Sequence, residues 1–275
     1  MQPFSVLMSV YRKERTDFLC ASLESVFNQT VLPNEVVLVK DGPLTVELEE
    51  VIACFVAEHP ELKVVPLPVN VGLGRALNEG LKHCSHELVA RMDTDDICKP
   101  DRFEKQLRVF ETQPQIDVCS AWLDEFDTDI QHVHSVKYLP ETSEELYEYG
   151  KTRNPVNHPV VMFRKEAVIR SGSYQHYPLF EDYYLWVRML VAGSKFYTIQ
   201  EALLYFRASP DMFARRGGWA YALTEARLQF LLYGIRYINM RTFLENLIIR
   251  FFTRIMPPGI REKLYKKKLR TKESM

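Results

Sequence analysis

The chain predicts an α/β fold whose first half is a parallel sheet with helices on both faces. Three observations lead there. Four short aliphatic or β-branched runs occur before residue 93, and stretches with helical apolar spacing separate them. The second, third and fourth runs each end in a cluster of Asp, Asn, Gly or Pro. The runs are continuously apolar instead of alternating, as expected for strands buried on both sides.

Taken in order, Phe4 to Tyr11 is the first strand, and a helix from about Asp17 to Asn28 buries Phe18, Leu19, Leu23, Val26 and Phe27. Glu35 to Lys40 is the second strand, Val46 to His59 the second helix, Leu62 to Leu67 the third strand and Leu73 to His83 the third helix. Glu87 to Met92 is the fourth strand, and after Pro100 a helix covers Arg102 to Glu111. The rhythm then changes. Val118 to Phe126 and Val133 to Tyr138 read as antiparallel strands, followed by a polar helix over about Ser143 to Tyr149. Pro159 to Phe163 reads as a short strand, Glu181 to Val191 as a helix, and Phe196 to Phe206 as a strand pair or a long edge strand. From Gly218 the pattern is helical to the end, broken at Pro257, Pro258 and Gly259. We expect residues 1–217 to form one catalytic domain, with a nucleotide-binding half to 113 and an acceptor half from 114. Residues 218–275 would form a helical extension.

Composition is consistent with this. At 47% apolar and 12% aromatic residues in 275, the chain can bury a full core, and disorder is excluded. The formal charge of −1 hides an asymmetry, because Arg and Lys crowd the last thirty residues. Five scattered cysteines contain no CxxC pair and suit a reducing cytoplasm. The opening MQPFSVLMSVYRKE reads as a strand and not a secretion signal, and no apolar stretch approaches the roughly 20 residues needed to span a bilayer.

Ligands of open α/β sheets sit beyond the carboxyl ends of the strands. Ser9 to Arg12, Asp41 to Pro43, Asn70 to Gly74 and Asp93 to Asp96 occupy such ends and are expected to converge. In ARMDTDDICKP, the fourth strand delivers Asp93, Asp95 and Asp96 in close succession. Carboxylates so near one another require a cation or hydrogen-bond donors. Asp93 and Asp95, two apart, can face one cleft if the chain stays extended, and oxygen ligands of this kind suit Mg²⁺ or Mn²⁺ with substrate phosphates. A capped turn, with Asp93 or Asp96 bonding local amides and Asp95 solvated, is the alternative reading.

The ordered set FSVLMSVYRKE, EVVLVKDGP, NVGLGRALNEGL, ELVARMDTDDICKPDRFEKQ, NHPVVMFRKEA and FEDYYLWVRML resembles family 2 glycosyltransferases of the GT-A fold. Within the family it is most similar to bacterial enzymes that build O-antigen, capsule or exopolysaccharide, including the amylovoran type. The resemblance runs from residue 4 to about 218. It implies that Val10, Tyr11 and Glu14 hold the donor nucleotide, that Asp41 reads the uracil, and that Arg75 approaches the donor. The more usual pair of aspartates at the second strand's end is here Lys40-Asp41. Asp93 would sit near the ribose or metal, with Asp95 as the metal-ligating carboxylate.

In the pair opening the later helix, the resemblance makes Asp182 the catalytic base and Glu181 the second choice. The segment alone equally allows two acids that complement a helix dipole. His158 matches an acceptor-side position, although a His before a strand is commonly a hydrogen-bonded structural residue. Arg215 and Arg216, before two glycines, form either a loop over the diphosphate or a solvated turn.

The implied reaction is inverting transfer of a hexose, glucose or galactose, from a UDP-sugar to a polyprenyl-diphosphate-linked saccharide. Rival readings are a nucleotidyltransferase, which would want a glycine-rich phosphate loop that SVYRKER lacks, and an inactive scaffold that binds nucleotide sugar or membrane. In the tail, Ile248, Phe251, Phe252 and Ile255 alternate with Arg250 and Arg254, and REKLYKKKLR adds further cations. Bulky apolar residues beside cations suit a helix lying in an anionic leaflet better than one on nucleic acid. A protein peripheral to the cytoplasmic face of the inner membrane is expected.

Overall fold

A computed structural model describes residues 2–208 and 217–256. Strands β1 (Phe4–Val10), β2 (Glu35–Lys40), β3 (Leu62–Pro66) and β4 (Leu88–Met92) alternate with helices α1 (Thr16–Phe27), α2 (Val46–Glu58) and α3 (Leu73–His83). The four strands pair in parallel in the order β3-β2-β1-β4. Next come β5 (Ile97–Cys98), α4 (Arg102–Thr112), β6 (Val118–Phe126), β7 (Ser135–Lys137) and α5 (Ser143–Tyr149). A 3₁₀ turn at His158–Val160 leads to β8 (Met162–Arg164), α6 (Lys165–Arg170), α7 (Glu181–Val191) and β9 (Phe196–Arg207). The sheet continues β8-β6-β9-β5 beyond β4, and β7 pairs with β6.

Alternation along the strands divides the interior into two layers. Val6, Met8, Val36, Leu38 and Leu88 pack under α1, α2 and α4. Leu7, Val37, Val39 and Val89 pack under α3 and α7. A Cβ added at Gly80 would run into Leu7 and Val39, so α3 lies flush on the sheet. Trp186 on α7 is fully buried, and its ring lies 5.9–6.5 Å from those of His158, Phe163, Tyr174 and Phe196, between the sheet and the candidate site.

Three differences from the sequence reading have physical causes. The strand expected over Pro159–Phe163 begins at Met162, because Pro159 has no N–H for a ladder and sits in the 3₁₀ turn. The strand pair or edge strand expected over Phe196–Phe206 is one strand of 12 residues, parallel to β6, with a register shift around Trp122. Its other side is covered in part by β5, too short to carry a periodicity signal.

The C-terminal stretch is a helix pair, α8 (Trp219–Gly234) and α9 (Met240–Ile255), broken at residues 235–239 and capped where the Asn239 side chain accepts from Thr242 N at 2.8 Å. Arg250 and Arg254, counted among the cations of a helix lying in an anionic leaflet, face the domain. Both pair with Glu225 of α8, which is 1% exposed, and Arg254 Nε lies 2.6 Å from its Oε2. The basic stretch after Pro257 lies outside the described residues.

Burial pushes the Glu225 carboxyl up, but Arg250 and Arg254 more than offset this and hold it below the usual range. A carboxyl so lowered stabilises the fold above its unfolded pKa, and that contribution is lost as pH falls through the folded value. Glu225→Ala removes the buried carboxylate that Arg250 and Arg254 share and is expected to cost about 3 kcal/mol in urea unfolding at pH 7, with a smaller difference from wild type at pH 4.

Candidate active site

The carboxyl ends of β1, β2 and β4 place their loops side by side. At β4, oxygens of Asp93, Asp95 and Asp96 lie within 4.8 Å of one another. Asp93 and Asp95 are half-buried and Asp96 is buried. The loop is braced from three sides. Ser22 of α1 donates to Asp93 O at 2.8 Å, Thr94 Oγ1 donates to Glu14 Oε2 at 2.6 Å, and Arg207 N donates to Asp96 Oδ1 at 2.8 Å. Arg207 Nε also donates to Asp95 O at 3.0 Å.

Beneath the loop lies Arg91, 0% exposed, whose guanidinium forms an ion pair with Asp93. Its Nε and Nη1 have no hydrogen-bond partner among the described residues, so Asp93 is its principal compensation. Even so, the cluster remains over-negative. Burial, then Asp93 and Glu14, push Asp95 up to about 7, and burial, then Asp95 and Asp93, push Asp96 well above the carboxylate range.

Three oxygen-only side chains converge here, with Asp96 Oδ2 buried and without a hydrogen-bond partner among the described residues. This donor set fits a hard divalent cation, with Asp93 and Asp95 as the accessible ligands and positions left for phosphate and water.

The other predicted residues take distinct places. Val10 is buried in β1, Tyr11 is exposed just after it, and Glu14 links that loop to Thr94 and the acidic cluster. Asp41, 4% exposed, accepts from Val71 N at 2.7 Å, Gly72 N at 3.1 Å and Asn70 Nδ2 at 3.0 Å. It therefore holds the start of α3 before it touches any ligand. Arg75 is exposed in the first turn of α3. His158 is buried, with Nε2 3.0 Å from the Tyr174 hydroxyl, and burial followed by Arg91 keeps it well below its ordinary pKa and neutral. It lies under the site as a packed residue. Arg215 and Arg216 lie outside the described residues.

Glu181 and Asp182 open α7 opposite the start of α3, where a Cβ on Gly74 would sit 3.3 Å from Glu181 Cβ. A cavity of about 200 Å³ between them is lined by Gly72, Leu73, His176, Leu179 and Glu181. Leu179, with φ of 75°, makes the strained turn into α7. Burial, then Asp182, push Glu181 up to about 7, and its Oε2 has no partner among the described residues. Asp182 is half-buried, and Asn154 Nδ2 donates to its Oδ2 at 2.6 Å.

Tyr174 joins the two acidic groups. Burial raises its phenol, and Arg91, Asp182, Asp93 and Glu181 are the charges near enough to act on it. Sequence reasoning missed Arg91, Arg207, Tyr174 and Asn154. Only Arg91 left a local signal, a cation inside the apolar strand ELVARM.

The family model described as Glycosyl transferase family 2 matches residues 5–174. The chain belongs to glycosyl transferase family 2. It is 40% identical to the amylovoran biosynthesis glycosyltransferase AmsE of Erwinia amylovora, over 96% of this chain and 98% of that one. It is 39% identical to the UDP-Gal:alpha-D-GlcNAc-diphosphoundecaprenol beta-1,3-galactosyltransferase of Escherichia coli, over 97% and 96%. The crystal structure of S. aureus TarS 1-349 in complex with UDP-GlcNAc superimposes with a TM-score of 0.67 at 16% identity, covering 98% of this chain and 77% of that one. The mannosyltransferase PcManGT of Pyrobaculum calidifontis, in complex with GDP-Man and Mn²⁺, gives 0.59 at 15%, covering 97% and 80%. At these identities the structural likenesses establish the family's GT-A fold: a mixed sheet flanked by helices.

Because Asp41 supplies the acceptors for two backbone N–H groups, Asp41→Ala is expected to destabilise the protein by about 2 kcal/mol. Amide exchange should accelerate at Val71 and Gly72. Unchanged exchange there would show that the brace carries no weight.

Proposed function

We propose that the protein is an inverting hexosyltransferase that moves glucose or galactose from a UDP-sugar to a polyprenyl-diphosphate-linked saccharide in surface polysaccharide assembly. The convergence of Asp93, Asp95 and Asp96 within 4.8 Å at the end of β4 carries this reading. The relative named for galactosyl transfer from UDP-Gal to a GlcNAc-diphosphoundecaprenol supports the donor and acceptor classes, and a β1,3 link to an N-acetylhexosamine.

Val10, Tyr11, Glu14 and the braced Asp41 form the nucleotide side, with Arg75 facing the donor from α3. Asp93 and Asp95 would hold Mn²⁺ or Mg²⁺, which would supply positive charge against the charge gathering on the departing UDP. Asp182 serves as the base. It takes the proton of the acceptor hydroxyl as that oxygen attacks the anomeric carbon from the face opposite the diphosphate. One displacement without a covalent intermediate inverts the centre and gives a β-linkage from an α-linked donor. Glu181, whose carboxyl burial and Asp182 push up to about 7, is the second candidate for that role.

The acceptor class bears on residues 218–275, which we read as a membrane-associating region. Among the described residues no helix is long and apolar enough to cross a membrane. With Arg250 and Arg254 turned inward, the outer surface of the pair carries exposed Trp219, Leu223 and Phe230 of α8 beside Leu244, Ile248 and Phe252 of α9. The contacts Trp219–Phe251 and Phe230–Phe243 run along the seam between the two helices. Such a face fits the interfacial zone of an anionic leaflet, with the cations after residue 260 adding attraction. On this reading the enzyme works at the cytoplasmic face of the inner membrane. Phe252→Glu is expected to reduce co-sedimentation with phosphatidylglycerol vesicles at least fivefold; full retention would remove the membrane from the account.

Release of UDP from UDP-galactose or UDP-glucose, measured with GlcNAc-diphosphoundecaprenol, tests the chemistry. It should require Mn²⁺ or Mg²⁺, stop with chelator, and fall roughly 10²–10⁴-fold in Asp182→Ala. Metal-independent turnover, or an Asp182→Ala variant as fast as wild type, would contradict the reading.

A further inference from the structure

We propose that the C-terminal helix pair positions Asp182 through the 150–154 loop, with Asn154 as the residue that aims the carboxylate. The inference rests on the reading of Asp182 as the base.

Two contacts set the orientation of the Asn154 amide. Its Nδ2 donates to Asp182 Oδ2 at 2.6 Å, while Val156 N–H donates to its Oδ1 at 3.2 Å. The second bond fixes which end of the amide faces the acid, since a flipped amide would place oxygen against oxygen at Asp182 and N–H against N–H at Val156. A donor so placed favours the ionised carboxylate and limits its rotation, the two properties a proton acceptor needs.

The loop that carries Asn154 is held from outside. Tyr183 of α7 donates through its hydroxyl to Gly150 O at 2.6 Å. Asn246 Nδ2 of α9 donates to Lys151 O at 2.8 Å and to Gln229 Oε1 of α8 at 2.8 Å. Arg250 donates to Thr152 O and is itself fixed by Glu225. Tyr237, between the helices, donates to Tyr147 O at 2.6 Å, and a Cβ at residue 150 would collide with its hydroxyl. Three consecutive carbonyls, of Gly150, Lys151 and Thr152, are thus occupied by donors from α7 and α9. Asn154 follows two residues later, a span too short to reorient independently of those anchors.

The inner face of the helix pair is therefore a mould for the loop, while its outer face carries the exposed apolar residues. One rigid element connects the surface read as lipid-facing with the acid read as the base. Docking at a leaflet and aiming of Asp182 become properties of the same two helices.

Carboxyl titration of the full-length protein followed by ¹³C NMR tests this without depending on the acceptor. The Asp182 signal is assigned by its loss in Asp182→Asn. Among the described residues, Glu181 and Tyr183 of α7 and Tyr174 are charged or titratable groups that act on it, and all remain in each variant. In Asn154→Ala the Asp182 midpoint should rise by about one pH unit, because a donor to the ionised form has been removed. Asn246→Ala, far from the acid, should raise it in the same direction by less, with thermal unfolding showing both variants folded. Turnover should follow, with the acid limb of kcat moving to higher pH and the donor KM within about twofold of wild type.

An unmoved midpoint in Asn154→Ala would overturn the role of Asn154. A shift in Asn154→Ala with none in Asn246→Ala would overturn the part assigned to the helix pair. Either failure leaves the base reading standing as long as Asp182→Asn abolishes transfer. Full transfer by Asp182→Asn would remove that reading instead, whatever the titrations give.

Discussion

Two ionised carboxylates about 5 Å apart repel by roughly 3 kcal/mol at an effective dielectric near 20, and three mutual pairs approach the whole stability of a domain. Asp93, Asp95 and Asp96 meet at that range. The surrounding structure is arranged around this repulsion. Arg91 lies under Asp93, Arg207 N–H groups bind the far side of the loop, and Ser22 and Thr94 fix its backbone and its neighbour Glu14. The compensation is incomplete, because Asp95 and Asp96 are both displaced toward their neutral forms. Among the described residues the loop is left short of positive charge and half-open to solvent, and its three carboxylates are a donor set that suits a divalent cation carrying phosphates.

The rest of the sheet can be understood as the support of that loop. Parallel β1, β2 and β4 bring their carboxyl ends to one level, and Asp41 ties the end of β2 to the start of α3. Antiparallel β8, wedged between β4 and β6, carries the chain to α6 and on to α7. Tyr174, just before α7, is within electrostatic reach of Asp93, Glu181 and Asp182. The packing of Trp186 against Tyr174, His158 and Phe196 makes the floor between the acidic groups part of the core. Membership of glycosyl transferase family 2 gives this arrangement a chemical context.

Much of the frame was legible because its signals are local. The apolar runs of β1 to β4 and the first-turn acids of α7 lie within a few residues of the features they indicate, and β2, α3, β6, α5 and α7 fall at the expected bounds. What escaped the sequence depends on distant partners. The inward turn of Arg250 and Arg254 is decided by Glu225, more than twenty residues earlier, and helical spacing alone cannot tell a packed stripe from a lipid-facing one. Asn154 gains its role only through Asp182, 28 residues on. Asp41 accepts from the N–H groups of residues 71 and 72, a brace that nothing local to Lys40-Asp41 indicates. In each case the identity of the residue was informative and the direction of its side chain was not.

Titration of Mn²⁺ into the purified protein with UDP present, followed by the loss of the free-ion electron paramagnetic resonance signal, tests the central claim most directly. The account predicts one bound ion per chain, with affinity at least tenfold weaker in Asp95→Asn and in a sample without nucleotide. Equal binding by wild type and Asp95→Asn, or no binding at millimolar Mn²⁺ with UDP, would contradict it.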